Sequence, residues 1–308
     1  MHTGYHALVG AAAHIPVNPP KPIISFSPVV LPAPGRPVDL QLRVTVPLTG
    51  DALPIILLSH GHGRSNSLSS LEGYAPLAEF WAAHGFAVLQ PTHLSSAFLG
   101  LKGRKGQEMF WQDRTADMVR ILDNLDTVEM SMPELKGRLD RARVAVAGHS
   151  LGGWTTAMLL GASNTDPRNG STWYKLETRI KAGVILAGTG NGGADISDFG
   201  KTLVPFYGPN FSKMARPALV VYGDEDQSPF DDPCGWDAGE TLDESPERLA
   251  TVQRMTWAYL KSQFYEGDTA WAEACHALGR DGSEEKTFVE EAREESGRGL
   301  PLGCLGLG

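Results

Sequence analysis

The hexapeptide Gly148-His149-Ser150-Leu151-Gly152-Gly153 sets a hydroxyl between glycines. The apolar run Arg143 to Ala147 precedes it, and a helix-like stretch, Trp154 to Leu160, follows. A serine on such a strand–turn–helix junction projects its hydroxyl above the sheet edge. The glycines on both sides let neighbouring backbone approach without a Cβ clash. The backbone N–H of Leu151 then lies at a helix N-terminus, where it can stabilise an oxyanion. The chemistry is nucleophilic attack by Ser150 on an acyl carbon, given a base to take the hydroxyl proton. A turn with a purely structural role is the other reading of this motif.

Such a serine needs an oxyanion hole, a base and an orienting acid. The run Pro54 to Ser59 ends in His60-Gly61-His62-Gly63. A His-Gly turn there presents a backbone N–H, that of His62, toward the serine, paired with the N–H of Leu151. His60 and His62 as a metal pair would lack a third ligand, and the glycines favour the backbone role. Acid candidates are Asp224, Glu225 and Asp226, which follow Leu219 to Gly223 at the carboxyl end of an expected strand. Their alternative is a solvated turn. His93 reads as a hydrogen-bonded structural histidine, with the catalytic base as the alternative. His276 is the one histidine that follows the acids in the chain, and it is the other candidate for base.

The elements that must position these groups follow from periodicity. Val38 to Val46 alternates and ends at Pro47, as an antiparallel edge strand does. Pro54 to Ser59 is continuously apolar, the pattern of a strand buried on both faces. Phe86 to Gln90, Arg143 to Ala147, Ala182 to Ala187 and Ala218 to Tyr222 are further strands. Helices lie between them, one carrying Leu77, Phe80 and Trp81, another Met118, Ile121, Leu122 and Leu125. Strands alternating with helices predict a doubly wound, mostly parallel α/β sheet. Residues 1–37 read as a proline-rich arm, 38–280 as the folded domain, and 281–308 as a flexible tail. In the long irregular segment Gly188 to Pro217, the aromatics Phe199, Phe206, Tyr207 and Phe211 line a substrate pocket or pack as ordinary loop residues.

The order His-Gly-x-Gly, Gly-x-Ser-x-Gly, then strand-Gly-x-x-Asp resembles the α/β-hydrolase superfamily. Within it, the chain looks like the branch of platelet-activating-factor acetylhydrolase-like esterases, chlorophyllases and cutinase-like polyester hydrolases. The resemblance runs from about Val38 to about Ala277. It implies a serine carboxylic-ester hydrolase with no metal or organic cofactor, with Ser150 as nucleophile and the His62 and Leu151 amides as oxyanion donors. It also implies Asp226 as the orienting acid. The family sets its histidine after the acid, on a loop beyond a final strand. Here Gln227 to Glu244 holds neither a histidine nor an apolar strand. The next helix begins at once, with Ser245 as N-cap and Pro246 in its first turn. The sheet is therefore expected to lack its last strand and histidine loop. The expected function is ester hydrolysis through an acyl-serine. Its alternative is a catalytically impaired or non-catalytic protein of the same fold.

Composition bounds the partners. The chain has 308 residues and a formal charge of −9, with no basic stripe, which argues against nucleic acid. No apolar stretch is long enough to predict a transmembrane segment. Residues 1–17 do not read as a signal peptide. Three widely spaced cysteines fit a reducing compartment, so a cytoplasmic protein acting on a small-molecule ester is expected. An uncovered sheet edge would favour a homodimer.

Overall fold

The computed structural model describes residues 9–65, 74–103, 108–223, 245–279 and 302–307. In chain order the strands are β1 (Ile23–Leu31), β2 (Leu40–Pro47), β3 (Leu53–Ser59), β4 (Ala87–Pro91), β5 (Leu139–His149), β6 (Ser163–Thr165), β7 (Thr172–Tyr174), β8 (Ile180–Leu186), β9 (Pro209–Asn210), β10 (Ala218–Gly223) and β11 (Leu302–Leu307). The helices are α1 (Ala75–Ala83), α2 (Trp111–Asp123), α3 (Leu125–Ser131), α4 (Leu151–Leu160), α5 (Asp198–Leu203), α6 (Pro246–Phe264) and α7 (Ala270–Leu278).

Eight strands form one sheet in the order β1-β2-β4-β3-β5-β8-β10-β11. The pairs β1–β2 and β2–β4 are antiparallel, and every pair from β4 onward is parallel. Strands β6, β7 and β9 make a small separate sheet.

Alternation along the central strands divides the core in two. Ile55 and Leu57 of β3 and Val144 and Val146 of β5 pack with α2, α3 and α4 on one face. Ile56, Leu58, Ala145 and Ala147 pack with α1, α6 and α7 on the other. A strand buried on both faces reads as an unbroken apolar run for this reason. Helix α6 starts as its sequence predicts, with the Ser245 side chain accepting from the Arg248 amide and proline in the first turn.

Two expectations about the ends of the sheet need correction. The predicted edge strand is β2, and it lies second. The outer position belongs to β1, inside the segment read as an arm. Its proline hid it, although an edge strand tolerates proline because the outward side needs no ladder donor. At the opposite edge, the position beyond β10 is filled by a strand that follows α6 and α7 in the chain. It is β11, which pairs in parallel with β10 from Ala218–Leu302 to Gly223–Leu307. It comes from the segment read as a flexible tail. Its sequence, Leu-Gly-Cys-Leu-Gly-Leu, carries too few β-branched residues and too little alternation to signal a strand. No described helix is long and apolar enough to cross a membrane.

Candidate active site

Ser150 stands between β5 and α4 with φ 52° and ψ −119°. A non-glycine residue at positive φ is strained, and such strain gathers at functional sites. The surrounding backbone holds it there. The Ser150 amide donates to Leu186 O at 2.9 Å, and its carbonyl accepts from the Trp154 amide at 3.2 Å. Two glycines make the turn possible. A Cβ on Gly148 would stand 2.1 Å from Gly152 O, and one on Gly152 would stand 2.1 Å from Ser59 O. Gly152 therefore lets the first turn of α4 rest on the end of β3, where the His60-Gly61-His62-Gly63 turn begins. Leu151 is the first residue of α4, so its N–H has no partner within the helix.

Ser150, Leu151 and His62 line one small pocket of about 30 Å³. Its other walls include Met109, Trp154, Ile196, Val204 and Tyr207. The sequence left four aromatics of the 188–217 segment open between pocket and packing, and the structure divides them. Tyr207 lines the pocket, and its hydroxyl lies 2.7 Å from Gly190 O and 2.7 Å from Thr189 Oγ1. Phe206 is buried behind it, stacked on Trp111 and Trp154. Phe199 is exposed, and Phe211 packs against the core edge.

The histidines are distributed unevenly. His62 is exposed and shares the pocket with Ser150. The desolvation it has, and the Arg114 charge, lower its ring pKa. His149 Nδ1 lies 2.9 Å from the Tyr74 hydroxyl, which also accepts from the Gly61 amide at 3.0 Å. His276 is an exposed residue of α7 and lines a different hollow, with His14 and Glu273. It is not brought to Ser150. Nor is His93, whose two ring nitrogens are both engaged elsewhere. Among the described residues, the Ser150 hydroxyl has no hydrogen-bond partner. Asp224, Glu225 and Asp226 lie outside the described residues.

His93 belongs to a network that the sequence did not reveal. Its Nε2 lies 3.0 Å from Ser59 Oγ, and its Nδ1 lies 2.9 Å from Asp117 Oδ2. Arg114 Nη2 donates to Ser59 Oγ at 3.2 Å and to the His60 carbonyl, its Nη1 to Ser95 Oγ at 2.6 Å and its Nε to Thr155 Oγ1 at 3.0 Å. The other Asp117 oxygen pairs with Arg36. The Ser59–His93–Asp117 chain has the distances of a catalytic triad, but Ser59 and His93 are 0% exposed and Asp117 is 1% exposed. No substrate reaches it. Because Arg114 only donates, the Ser59 oxygen accepts from it, and the Ser59 proton can pass to His93 Nε2. His93 Nδ1–H then faces Asp117.

Burial governs the charges here. It pushes the Asp117 carboxyl up to about 7, against the pull of Arg36, and it lowers Arg114 to about 9. It holds His93 well below the usual imidazole value and His60 at about 3. His84, bonded to Asn18, is lowered to about 4 by the same cause. These shifts predict acid sensitivity. Below about 6.5 the unfolded chain takes up protons at these three histidines and the folded chain does not, so stability falls with pH down to the folded values. Asp117 acts in the opposite sense between about 4 and 7, because the folded state keeps its proton longer. Three groups against one leave a net loss, on the order of a few kcal/mol between pH 6.5 and pH 5. Urea midpoints at pH 7 and pH 5 check it, and an equal or higher midpoint at pH 5 would refute it.

The profile of the alpha/beta hydrolase family matches residues 55–294. The chain belongs to that family. The matched span begins in β3 and takes in the His-Gly turn, the Ser150 elbow and helices α6 and α7. No curated protein matches the chain. The mostly parallel sheet with helices on both faces is the fold of this hydrolase family, and the membership supports a hydrolase acting on a small molecule.

Proposed function

We propose that this chain hydrolyses carboxylic esters through an acyl-serine on Ser150. The observation that carries the reading is the strained elbow that sets Ser150 in the wall of a largely apolar pocket together with Leu151 and His62. In this reading the apolar walls take the acyl group. Ser150 Oγ attacks the ester carbonyl as its proton passes to a base, and the two amides hold the oxyanion. The alcohol departs with a proton, and water then releases the acid. Asp226 is proposed to orient the base. The resemblance of the motifs to acetylhydrolase-like, chlorophyllase and cutinase-like enzymes supports a small ester as the substrate, and a cytoplasmic location is part of the same reading.

A second reading, binding without efficient turnover, is favoured by the state of the histidines. The rings of His60, His84 and His93 have partners of their own, and His276 faces another hollow. Without a base, oxyanion stabilisation alone still accelerates hydrolysis by roughly a thousandfold over water. Hydrolysis of p-nitrophenyl acetate by wild type is therefore expected, slow but above that of buffer. Single alanine variants at His62, His149, His93 and His276 accompany it. Rapid wild-type turnover, lost in one variant and restored by imidazole, would name the base. The absence of both turnover and fluorophosphonate labelling of Ser150 would overturn the hydrolase reading and leave the binding one.

A further inference from the structure

The His60–Gly61 pair is held more tightly than a loop next to a pocket requires. The His60 carbonyl accepts from Arg114 Nη2. The Gly61 amide donates to the Tyr74 hydroxyl at 3.0 Å. His60 Nδ1 lies 2.7 Å from Gly61 O, and His60 Nε2 lies 3.0 Å from the His93 backbone nitrogen.

Simple chemistry assigns the proton. A backbone N–H only donates, so Nε2 accepts from His93, and the single proton of the neutral ring sits on Nδ1. That proton faces Gly61 O. The Gly61–His62 peptide is one planar trans unit, so its C=O and its N–H point in opposite directions. Whatever draws Gly61 O to one side turns the His62 N–H to the other. The His60 ring is buried, and His62 lines the pocket with Ser150.

We infer that His60 is a positioning residue: its ring, held in one tautomer by the His93 amide, orients the Gly61–His62 peptide so that the His62 N–H faces Ser150. The inference rests on the proposed oxyanion role of that amide. The buried network has a purpose in this light. Arg114 fixes the His60 carbonyl, and the Ser59–His93–Asp117 chain fixes the residue whose backbone N–H selects the His60 tautomer. The ring is faced by Arg114 of α2, by His93 and by His62, and its burial together with the Arg114 charge keeps it neutral down to a pKa of about 3.

Asparagine and glutamine separate positioning from mere filling. The side-chain nitrogen of asparagine falls near the place of Nδ1, and the amide end of glutamine near the place of Nε2. His60→Asn is expected to keep kcat on p-nitrophenyl acetate within about tenfold of wild type. His60→Gln and His60→Ala are expected to lose roughly a hundredfold in kcat, the scale of one oxyanion donor, with KM little changed. Circular dichroism checks that each variant is folded, and the Asn–Gln pair suffices if the alanine variant is not. Glutamine retaining activity as well as asparagine, or effects confined to KM, would overturn the inference. A second arm needs no turnover: 15N spectra of the histidine rings in the full chain. A neutral Nδ1–H ring from pH 8 to pH 5 is expected for His60. An Nε2–H tautomer, or a titration near the usual imidazole value, would overturn the inference. The expected tautomer in a protein without esterase activity would sink the hydrolase reading and keep the peptide orientation.

Discussion

Ser150→Ala is expected to remove ester hydrolysis down to the background of buffer. Loss of a triad nucleophile costs about a millionfold in turnover where the full machinery operates. Where no base assists, the drop is smaller, because the starting rate is itself low. The fold should tolerate the change. The Ser150 hydroxyl has no partner among the described residues, so its removal leaves no buried group unsatisfied. Alanine at φ 52° is also no more strained there than serine. The expected pair of results is an unaltered urea midpoint and an absent p-nitrophenyl acetate rate, with no labelling by a fluorophosphonate. Hydrolysis that persists in this variant above an empty preparation would refute the assignment of the nucleophile.

The elements that build the site were legible because they obey short-range rules. A strand buried on both faces, a glycine-flanked serine and a capped helix each occupy one stretch of chain. Their patterns predicted β3, β5, α4 and the start of α6. The ends of the sheet were not legible for a related reason. Strand β1 carries a proline that an edge position tolerates, and β11 breaks its leucines with two glycines and a cysteine, so neither has the composition of a core strand. The buried network was missed although its signal was present. Arg114, Asp117, Met118 and Ile121 recur at helical spacing, which puts the two charges on the same face as the apolar pair. That face proved buried, and buried charges demand partners. The partners, Arg36, Ser59 and His93, come from distant parts of the chain, and no local pattern names them. The acid candidates that follow β10 fall outside the described residues, so Asp226 stands on its motif alone.

Asp117→Ala is expected to destabilise the fold by about 3–5 kcal/mol, the usual cost of removing one partner from a buried ion pair. Asp117 serves two neighbours. One oxygen pairs with Arg36, whose side chain is 8% exposed, and the other lies 2.9 Å from His93 Nδ1, which is fully buried. Alanine would leave a nearly dry guanidinium and a buried ring N–H with nothing to accept their hydrogens. Among the described residues the Arg36 Nε and Nη2 atoms are already buried without partners, so these residues offer the arginine no second acceptor. The carboxyl pKa, raised to about 7, means that near neutrality part of the folded population carries a proton on Asp117. The loss should therefore be no larger at pH 8 than at pH 7, because a carboxyl whose folded pKa is raised gives up stability as it ionises and the alanine variant has no such term. Asp117→Asn keeps the shape and one acceptor, and it is expected to cost less than alanine at either pH. Equilibrium urea unfolding of the three proteins at pH 7 and pH 8 measures both comparisons. A loss below about 1 kcal/mol for the alanine variant would place Asp117 in the range of a surface ion pair. It would remove the network's claim to hold the turn beneath the candidate pocket.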